Sequence, residues 1–407
     1  MSEIFHTHIL PNGLRIIHRP AASKVGYCGL AVNAGSRDEL DSQFGMAHFV
    51  EHTIFKGTTN RKSWHILNRM ELVGGELNAY TSKEETFIYS IFPCEHYGRA
   101  IDLLGDLVQN SIFPGEEIEK EREVVLDEID SYRDMPSEAV YDDFEDYLFA
   151  GSGLGHNILG TEKCLENIGS ADLMNFLKNL YVPSNMVFFS CGNIKFDKLC
   201  KLADKAFGNM SHQLNRKPRI VPVQDNKFTK VFDLENHQSH TLYGSRIFGM
   251  YDERKYELAL LNNMLAGPGM NSLLNVALRE KRGYVYTVES NTTLYSDTGL
   301  FSIYFGCDKE HTAPCLRIIR NTLNNLAQNK MTATKLDAVK RQYIGQMLVS
   351  FENKENSAIA LGKNMLYFNK VSTYEEISER IKAVTADQML EVARLIAPEN
   401  SSRITFD

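Results

Sequence analysis

The sequence predicts an α+β protein made of two similar domains, each an antiparallel sheet with helices packed mainly on one face. Its 407 residues, 43% of them apolar, can bury large cores and exceed the usual size of one domain. Stretches in which apolar and polar residues alternate, as in strands, stand beside longer segments with helical spacing of apolar residues. A weak internal repeat indicates that the two halves are distant copies of one unit.

The boundary between the predicted domains lies near the middle of the chain. The segment 215–227 contains Pro218 and Pro222 among charged residues and lacks a hydrophobic period. We therefore expect an N-terminal domain over 1–214, a linker over 215–227 and a C-terminal domain over 228–407.

The two halves repeat one order of elements. Residues 87–94 read as a strand followed by a helical segment at 100–104, and residues 301–307 read as a strand followed by a helical segment at 316–319. Amphipathic helices such as 375–381 accompany these strands. Neighbouring strands with segregated helices predict an antiparallel sheet that carries its helices on one face.

Composition excludes two classes of partner. The net charge is −8 and basic residues form no long run, so a nucleic-acid footprint is absent. No stretch approaches the roughly 20 apolar residues that a membrane span needs, and the first residues lack the basic and apolar regions of a signal peptide. We expect no membrane partner and a cytoplasmic location.

The most informative local pattern is H-x-x-E-H, formed by His48, Glu51 and His52. On an α-helix the two histidines lie one turn apart, and Glu51 falls on the same face. One short segment can therefore supply two nitrogen ligands and a carboxylate base, in the order known as the inverzincin motif. Catalytic zinc typically takes three protein ligands, so a third is expected elsewhere.

A downstream helix is the best source of that third ligand. Apolar residues recur at helical spacing, namely Ile118, Val124, Val125 and Ile129. Glu121 and Glu128 lie two turns apart on one stripe. One carboxylate could ligate the metal, and the other could orient a histidine or the ligand carboxylate.

These motifs resemble the M16 metallopeptidases, the family of pitrilysin, insulin-degrading enzyme and the mitochondrial processing peptidase. In that family a glutamate follows the second histidine by about 76 residues, and a further glutamate lies seven residues before it. The gap from His52 to Glu128 is 76 positions here. The resemblance implies that His48, His52 and Glu128 bind Zn²⁺, that Glu51 is the general base and that Glu121 supports the site from behind.

The resemblance extends to two further groups of residues. Family members carry an Arg and a Tyr seven residues apart that reach across from the other half of the molecule, where the tyrosine helps hold the carbonyl oxygen. Arg279 and Tyr286 match on spacing, with Tyr284 as the competing choice for the tyrosine. By the same resemblance Asn78 and Ala79 lie on an edge strand that pairs with the substrate backbone.

The resemblance implies a LuxS/MPP-like fold and a zinc metalloendopeptidase that hydrolyses unfolded peptides or small proteins. Short members pair two chains around a chamber. Because this chain holds both the metal motif and the Arg279/Tyr286 pair, a homodimer with two composite sites is favoured over a heterodimer. Two alternatives stay open: a processing peptidase that removes leader sequences, and a non-catalytic partner or assembly subunit.

Overall fold

The computed structural model describes residues 5–211, 213–222, 227–234 and 237–407. The chain forms two units, each built around one sheet. The first unit comprises Met1–Asp130, Asn157–Arg219 and Phe351–Thr373. The second unit comprises Ser131–His156, Ile220–Ser350 and Tyr374–Asp407.

Groups of strands and groups of α-helices follow one another in a similar order in each half of the chain. The first half contains β1 (His6–Ile9), β2 (Arg15–Pro20), β3 (Val25–Val32), α1 (Met46–Thr53), α2 (Ser63–Glu71), β4 (Glu76–Thr81), β5 (Thr86–Pro93), α3 (Tyr97–Asn110), α4 (Gly115–Arg133), α5 (Pro136–Leu148), α6 (Glu162–Glu166), α7 (Ser170–Leu180), β6 (Met186–Gly192) and α8 (Phe196–Phe207). The second half contains β7 (Thr229–Phe232), β8 (Ser239–Ile247), α9 (Lys255–Ala266), a π-helix (Asn275–Glu280), β9 (Val285–Leu294), β10 (Gly299–Cys307), α10 (Thr312–Gln328), α11 (Ala333–Phe351), α12 (Lys354–Phe368), α13 (Tyr374–Ala383), α14 (Ala386–Leu395) and β11 (Ser401–Phe406). None of these described helices is long and apolar enough to cross a lipid bilayer.

The two sheets share one topology. The strand order is β1-β2-β6-β3-β5-β4 in the first unit and β7-β11-β8-β10-β9 in the second, so the last five strands of the first sheet match the second sheet one for one. The predicted α+β class with two similar domains is confirmed. The sheets differ from the prediction in one respect: the pairs β2–β6 and β7–β11 are parallel. A long stretch of chain with three strands and several helices connects the two members of each pair, and parallel neighbours require such a crossover in place of a hairpin.

Alternating side chains divide each sheet into two packed faces. On β6, Phe188 packs on Phe207 of α8 with ring centroids 5.6 Å apart, whereas Phe189 belongs to the core that includes Leu361 of α12. On β10, Phe301 joins the core formed with helices α9, α10 and α14, whereas the core containing its neighbour Leu300 includes α5. Within the described residues of each unit, most helices that contact the sheet lie on one face, and a single helix, α12 or α5, lies on the other.

That single helix comes from the opposite half of the sequence in both units. Helix α5 belongs to the second unit, where Phe144 packs with Leu242 and Ile404, although it lies in the predicted domain 1–214. Helix α12 belongs to the first unit, although it lies in the predicted domain 228–407. The predicted N-terminal domain therefore contributes helix α5 to the second unit, and the predicted C-terminal domain contributes helix α12 to the first unit.

Part of the predicted linker 215–227 is anchored to the first unit. The Arg219 guanidinium donates hydrogen bonds to both oxygens of the Asp38 carboxylate, at 2.9 and 2.7 Å. Arg216 Nε lies 3.8 Å from Asp38 Oδ1. The Asp38 side chain is fully buried, so this pairing compensates the charge that folding removes from water. Residues 223–226 of the linker lie outside the described residues.

Candidate metal centre

Local sequence features fix the start of helix α1, which carries the H-x-x-E-H motif. The helix begins after Gly45, whose φ of 95° lies in the left-handed region that favours glycine. A Cβ at this position would lie 2.6 Å from the carbonyl oxygen of Leu159. The Glu39 carboxylate accepts hydrogen bonds from the backbone N–H groups of Gly45 and Ala47, at 2.9 and 2.7 Å. It thereby satisfies donors that the first helical turn leaves open.

The two histidines of the motif lie against each other on α1. The ring centroids of His48 and His52 are 4.5 Å apart at an interplanar angle of 69°, while Phe49 and Val50 are fully buried and anchor the helix. Burial, with a smaller contribution from His52, lowers the pKa of His48 to about 3. His48 is therefore neutral at pH 7, which is the form of imidazole that binds a metal ion.

Glu128 of helix α4 lies beside the two histidines and completes a group of three side chains with the donor atoms that a metal ion needs. Its Oε2 lies 3.7 Å from His48 Nε2 and 3.5 Å from His52 Nε2, and the three donor atoms all lie within 4.8 Å of one another. Tetrahedral zinc holds nitrogen and oxygen ligands at about 2.0–2.2 Å, which separates the donors by about 3.3–3.6 Å. Two histidines and one glutamate also form the ligand set of several catalytic zinc sites. The donors present therefore fit Zn²⁺.

Glu121, one heptad before Glu128 on α4, contacts the far side of the His52 ring. Its Oε2 lies 3.3 Å from His52 Nδ1. Because a carboxylate only accepts hydrogen bonds, Nδ1 carries the proton and Nε2 keeps its lone pair for a ligand role. The other carboxylate oxygen, Oε1, lies 2.6 Å from Lys56 Nζ. Such a carboxylate behind a ligating histidine fixes the tautomer and the ring orientation.

Glu51 is a half-buried carboxylate on the same helix as the histidines. Burial raises its pKa, and the Glu128 charge adds to this effect, while hydrogen bonds from Thr81 and the His52 charge act in the opposite direction. A raised pKa makes the carboxylate a stronger base, as is required of a group that accepts a proton from water. Thr81 is the last residue of strand β4.

Strand β4 also carries Asn78 and Ala79. It lies at the edge of the six-stranded sheet, where Asn78 pairs with Tyr89 and Ala79 with Ile88 of β5. Both residues are partly exposed. The strand therefore has the edge position that strand addition requires, and its role in binding substrate stays a prediction.

The remaining predicted residues belong to the second unit. Arg279 is exposed on the π-helix, and Tyr286 lies on strand β9 with 55% of its surface exposed. The Tyr286 hydroxyl donates a hydrogen bond to Asp308 Oδ1 at 3.0 Å, and this bond raises the pKa of the phenol. Tyr284 stacks on His311 with ring centroids 4.5 Å apart. Tyr286 thus keeps its proton at neutral pH and presents a polar group at the surface.

Sequence reasoning missed two residues next to the motif, Lys56 and Thr81. Lys56 lies four residues after His52, in the turn that follows the end of helix α1 at Thr53, so its closeness to the motif along the chain was a local signal. Thr81 had none, because its contact with Glu51 depends on how strand β4 packs against α1.

Two protein-family models match the sequence. "Insulinase (Peptidase family M16)" matches residues 16–162, and "Peptidase M16 inactive domain" matches residues 167–343. The chain is 32% identical over 392 residues to the uncharacterized zinc protease YmxG of Bacillus subtilis, covering 96% of this chain and 95% of that protein. It is 32% identical over 400 residues to the uncharacterized zinc protease Rv2782c of Mycobacterium tuberculosis, covering 95% and 89%.

Two solved structures share the fold. A protease from Helicobacter pylori superposes with a TM-score of 0.91 at 20% identity, covering 100% of both chains. A peptidase M16 inactive domain from Pseudomonas fluorescens superposes with a TM-score of 0.92 at 17% identity, covering 99% of this chain and 97% of that chain. At such identities the likeness concerns the fold alone.

Proposed function

Because this chain belongs to the M16 peptidase family, we propose that it is a zinc-dependent endopeptidase that hydrolyses unfolded peptides or small proteins. One observation carries the proposal: three donors that fit zinc converge next to a carboxylate with a raised pKa. The relatives named as zinc proteases support the same reaction class. A non-catalytic subunit would need neither this ligand set nor a base beside it.

His48, His52 and Glu128 would hold the metal, and Glu51 would move the protons. Zinc, when bound, supplies Lewis acidity that lowers the pKa of water and polarises a peptide carbonyl. Glu51 then accepts the water proton at its carboxylate and delivers it to the leaving amine nitrogen. Glu121 keeps His52 in the tautomer that a ligand needs.

We propose that the substrate lies along the edge of strand β4 as an added strand. Asn78 and Ala79 would supply main-chain hydrogen bonds, which recognise any extended peptide irrespective of its side chains. This mode selects for unfolded chains, because a folded substrate has no free extended segment to offer.

The proposed function is tested by cleavage of a quenched fluorescent peptide library with the full-length protein. We expect cleavage that a zinc chelator abolishes and that added Zn²⁺ restores, because the reaction needs the Lewis acid. Cleavage at several positions in unrelated peptides would favour a general endopeptidase, and a single position would favour a processing peptidase. Chelator-resistant cleavage, or no cleavage by protein that binds one zinc per chain, would contradict the proposal.

We further propose a homodimer that encloses a chamber, with the metal centre of one chain completed by Arg279 and Tyr286 of its partner. The presence of both groups in one sequence supports this arrangement. In it, the exposed phenol would donate to the developing oxyanion. Tyr286→Phe should therefore lower kcat by about 10²- to 10³-fold with little change in KM, measured by steady-state hydrolysis of one library peptide.

Tyr284→Phe is the matched control. It should leave kcat unchanged, because Tyr286 is the residue proposed to donate the hydrogen bond to the oxyanion.

The proposed dimer is tested by mixing and refolding the inactive Glu51→Gln and Tyr286→Phe chains. Randomly paired chains should recover about a quarter of wild-type activity, since half of the dimers would carry one intact site. If the mixed chains recover no activity, the result argues against composite sites. If Tyr286→Phe has a normal kcat, Tyr286 takes no part in the reaction.

A further inference from the structure

A lysine that is not part of the zinc motif lies behind the candidate metal centre. We propose that Lys56 is a positioning residue, which fixes the Glu121 carboxylate and, through it, the His52 ligand. The inference rests on the proposed function in one respect, since it takes zinc as the occupant of the site.

The two oxygens of the Glu121 carboxylate have different partners. Lys56 Nζ lies 2.6 Å from Oε1, and His52 Nδ1 lies 3.3 Å from Oε2. The Lys56 side chain is 26% exposed and the Glu121 side chain 13% exposed. Water therefore screens this ion pair less than it screens a pair on the open surface.

Two partners restrict a side chain that is otherwise free to turn. The terminal torsion of a glutamate has a broad energy profile, so one contact leaves the carboxylate plane undetermined. With Lys56 on Oε1, rotation that moves Oε2 away from His52 also breaks the ion pair. The Nδ1–H group of His52 thus keeps its acceptor, and Nε2 keeps its direction toward Glu128, 3.5 Å away.

The lysine is well placed for this task because it belongs to the same chain segment as the ligands. It follows His52 by four residues, in the turn after helix α1, and its backbone N–H donates to the Thr53 carbonyl at 3.0 Å. Glu121 comes from α4. Lys56 and His52 therefore hold one carboxylate of α4 from two points of a single segment.

The charge of Lys56 and its proposed positioning role should have opposite effects on the affinity for Zn²⁺. Removing a cation close to the site should strengthen the binding of Zn²⁺ by Coulomb attraction. Losing the fixed orientation of Glu121 should weaken it, because partners behind a ligating histidine are typically worth about 10- to 100-fold in metal affinity. Whether removal of Lys56 raises or lowers the Zn²⁺ affinity therefore distinguishes an effect of its charge from an effect of positioning.

The test measures Zn²⁺ affinity of the full-length protein by competition with a chromogenic chelator. We expect Lys56→Met to weaken the affinity by about tenfold and Lys56→Arg to restore most of it. Lys120→Met is the matched control: it removes the same charge and breaks a lysine–glutamate pair of 2.7 Å on α4, but at an exposed position, so the affinity should not change. In a Glu121→Gln background, Lys56→Met should cause no further loss of affinity, because only the charge effect remains.

Unchanged or tighter zinc binding in Lys56→Met would overturn the inference, as would an equal loss with and without Glu121. Circular dichroism shows whether Lys56→Met is folded. If it is not, the affinity is measured on Lys56→Gln instead. Because no substrate is used, the result is independent of whether the protein cleaves peptides. A protein that binds zinc but lacks peptidase activity would contradict the proposed function and leave this inference in place.

Discussion

Glu51→Gln is expected to lower kcat for peptide hydrolysis by about 10²- to 10⁴-fold while the protein keeps its zinc, because a positioned general base contributes this factor. Glutamine has nearly the shape of glutamate but cannot accept the water proton at neutral pH. The donors proposed to hold the metal are His48, His52 and Glu128, so the substitution leaves this ligand set complete. KM should change little, since Glu51 acts on the reacting water.

The measurement combines steady-state kinetics with zinc analysis of the same protein sample. Glu71→Gln, an exposed change at the end of α2, is the matched control and should behave like wild type. If Glu51→Gln cleaves peptides at near the wild-type rate, Glu51 is not the base. If it loses its zinc, the side chain contributes to metal binding in a way that the geometry does not show.

Glu128→Gln is expected to lose zinc during dialysis and, with it, all peptidase activity. Glu128 is the one anionic member of the ligand set, and its Oε2 lies within 3.7 Å of both histidine Nε2 atoms. A neutral amide oxygen is a much weaker ligand for Zn²⁺ than a carboxylate. Elemental analysis gives the stoichiometry, and chelator competition gives the affinity.

Two other glutamates of helix α4 serve as comparisons. Glu121→Gln should weaken zinc binding by only about 10- to 100-fold, because it acts through His52. Glu123→Gln, at an exposed position of the same helix, should bind zinc as wild type does. The reverse order, with tight zinc in Glu128→Gln and none in Glu121→Gln, would exchange the roles of the two carboxylates.

Much of the candidate site could be predicted because it is local. The spacing of His48, Glu51 and His52 fixes their geometry once the segment is helical, and the heptad from Glu121 to Glu128 does the same on α4. That the two helices meet was inferred from the resemblance to a family. Periodicity describes each helix face but contains no information about which faces touch.

The packing of the sheets shows most clearly what sequence patterns cannot predict. The apolar stripe Val140, Phe144 and Leu148 marks α5 as a helix with one buried face, yet nothing in the stripe indicates that it covers the sheet of the second unit. The parallel neighbours β2–β6 and β7–β11 were missed for the same reason. Strand alternation gives the buried face of a strand and leaves its neighbours undetermined.

Sequence patterns were enough to predict the α+β class, the repeated order of elements and the residues of the metal motif, because these depend on neighbours within a few residues along the chain. The folded chain was needed to find the exchange of α5 and α12, the ion pair between Lys56 and Glu121, and the contact of Thr81 with Glu51. These features join residues far apart in sequence. They are selected by the packing and the charge compensation of a whole unit, which no short segment encodes.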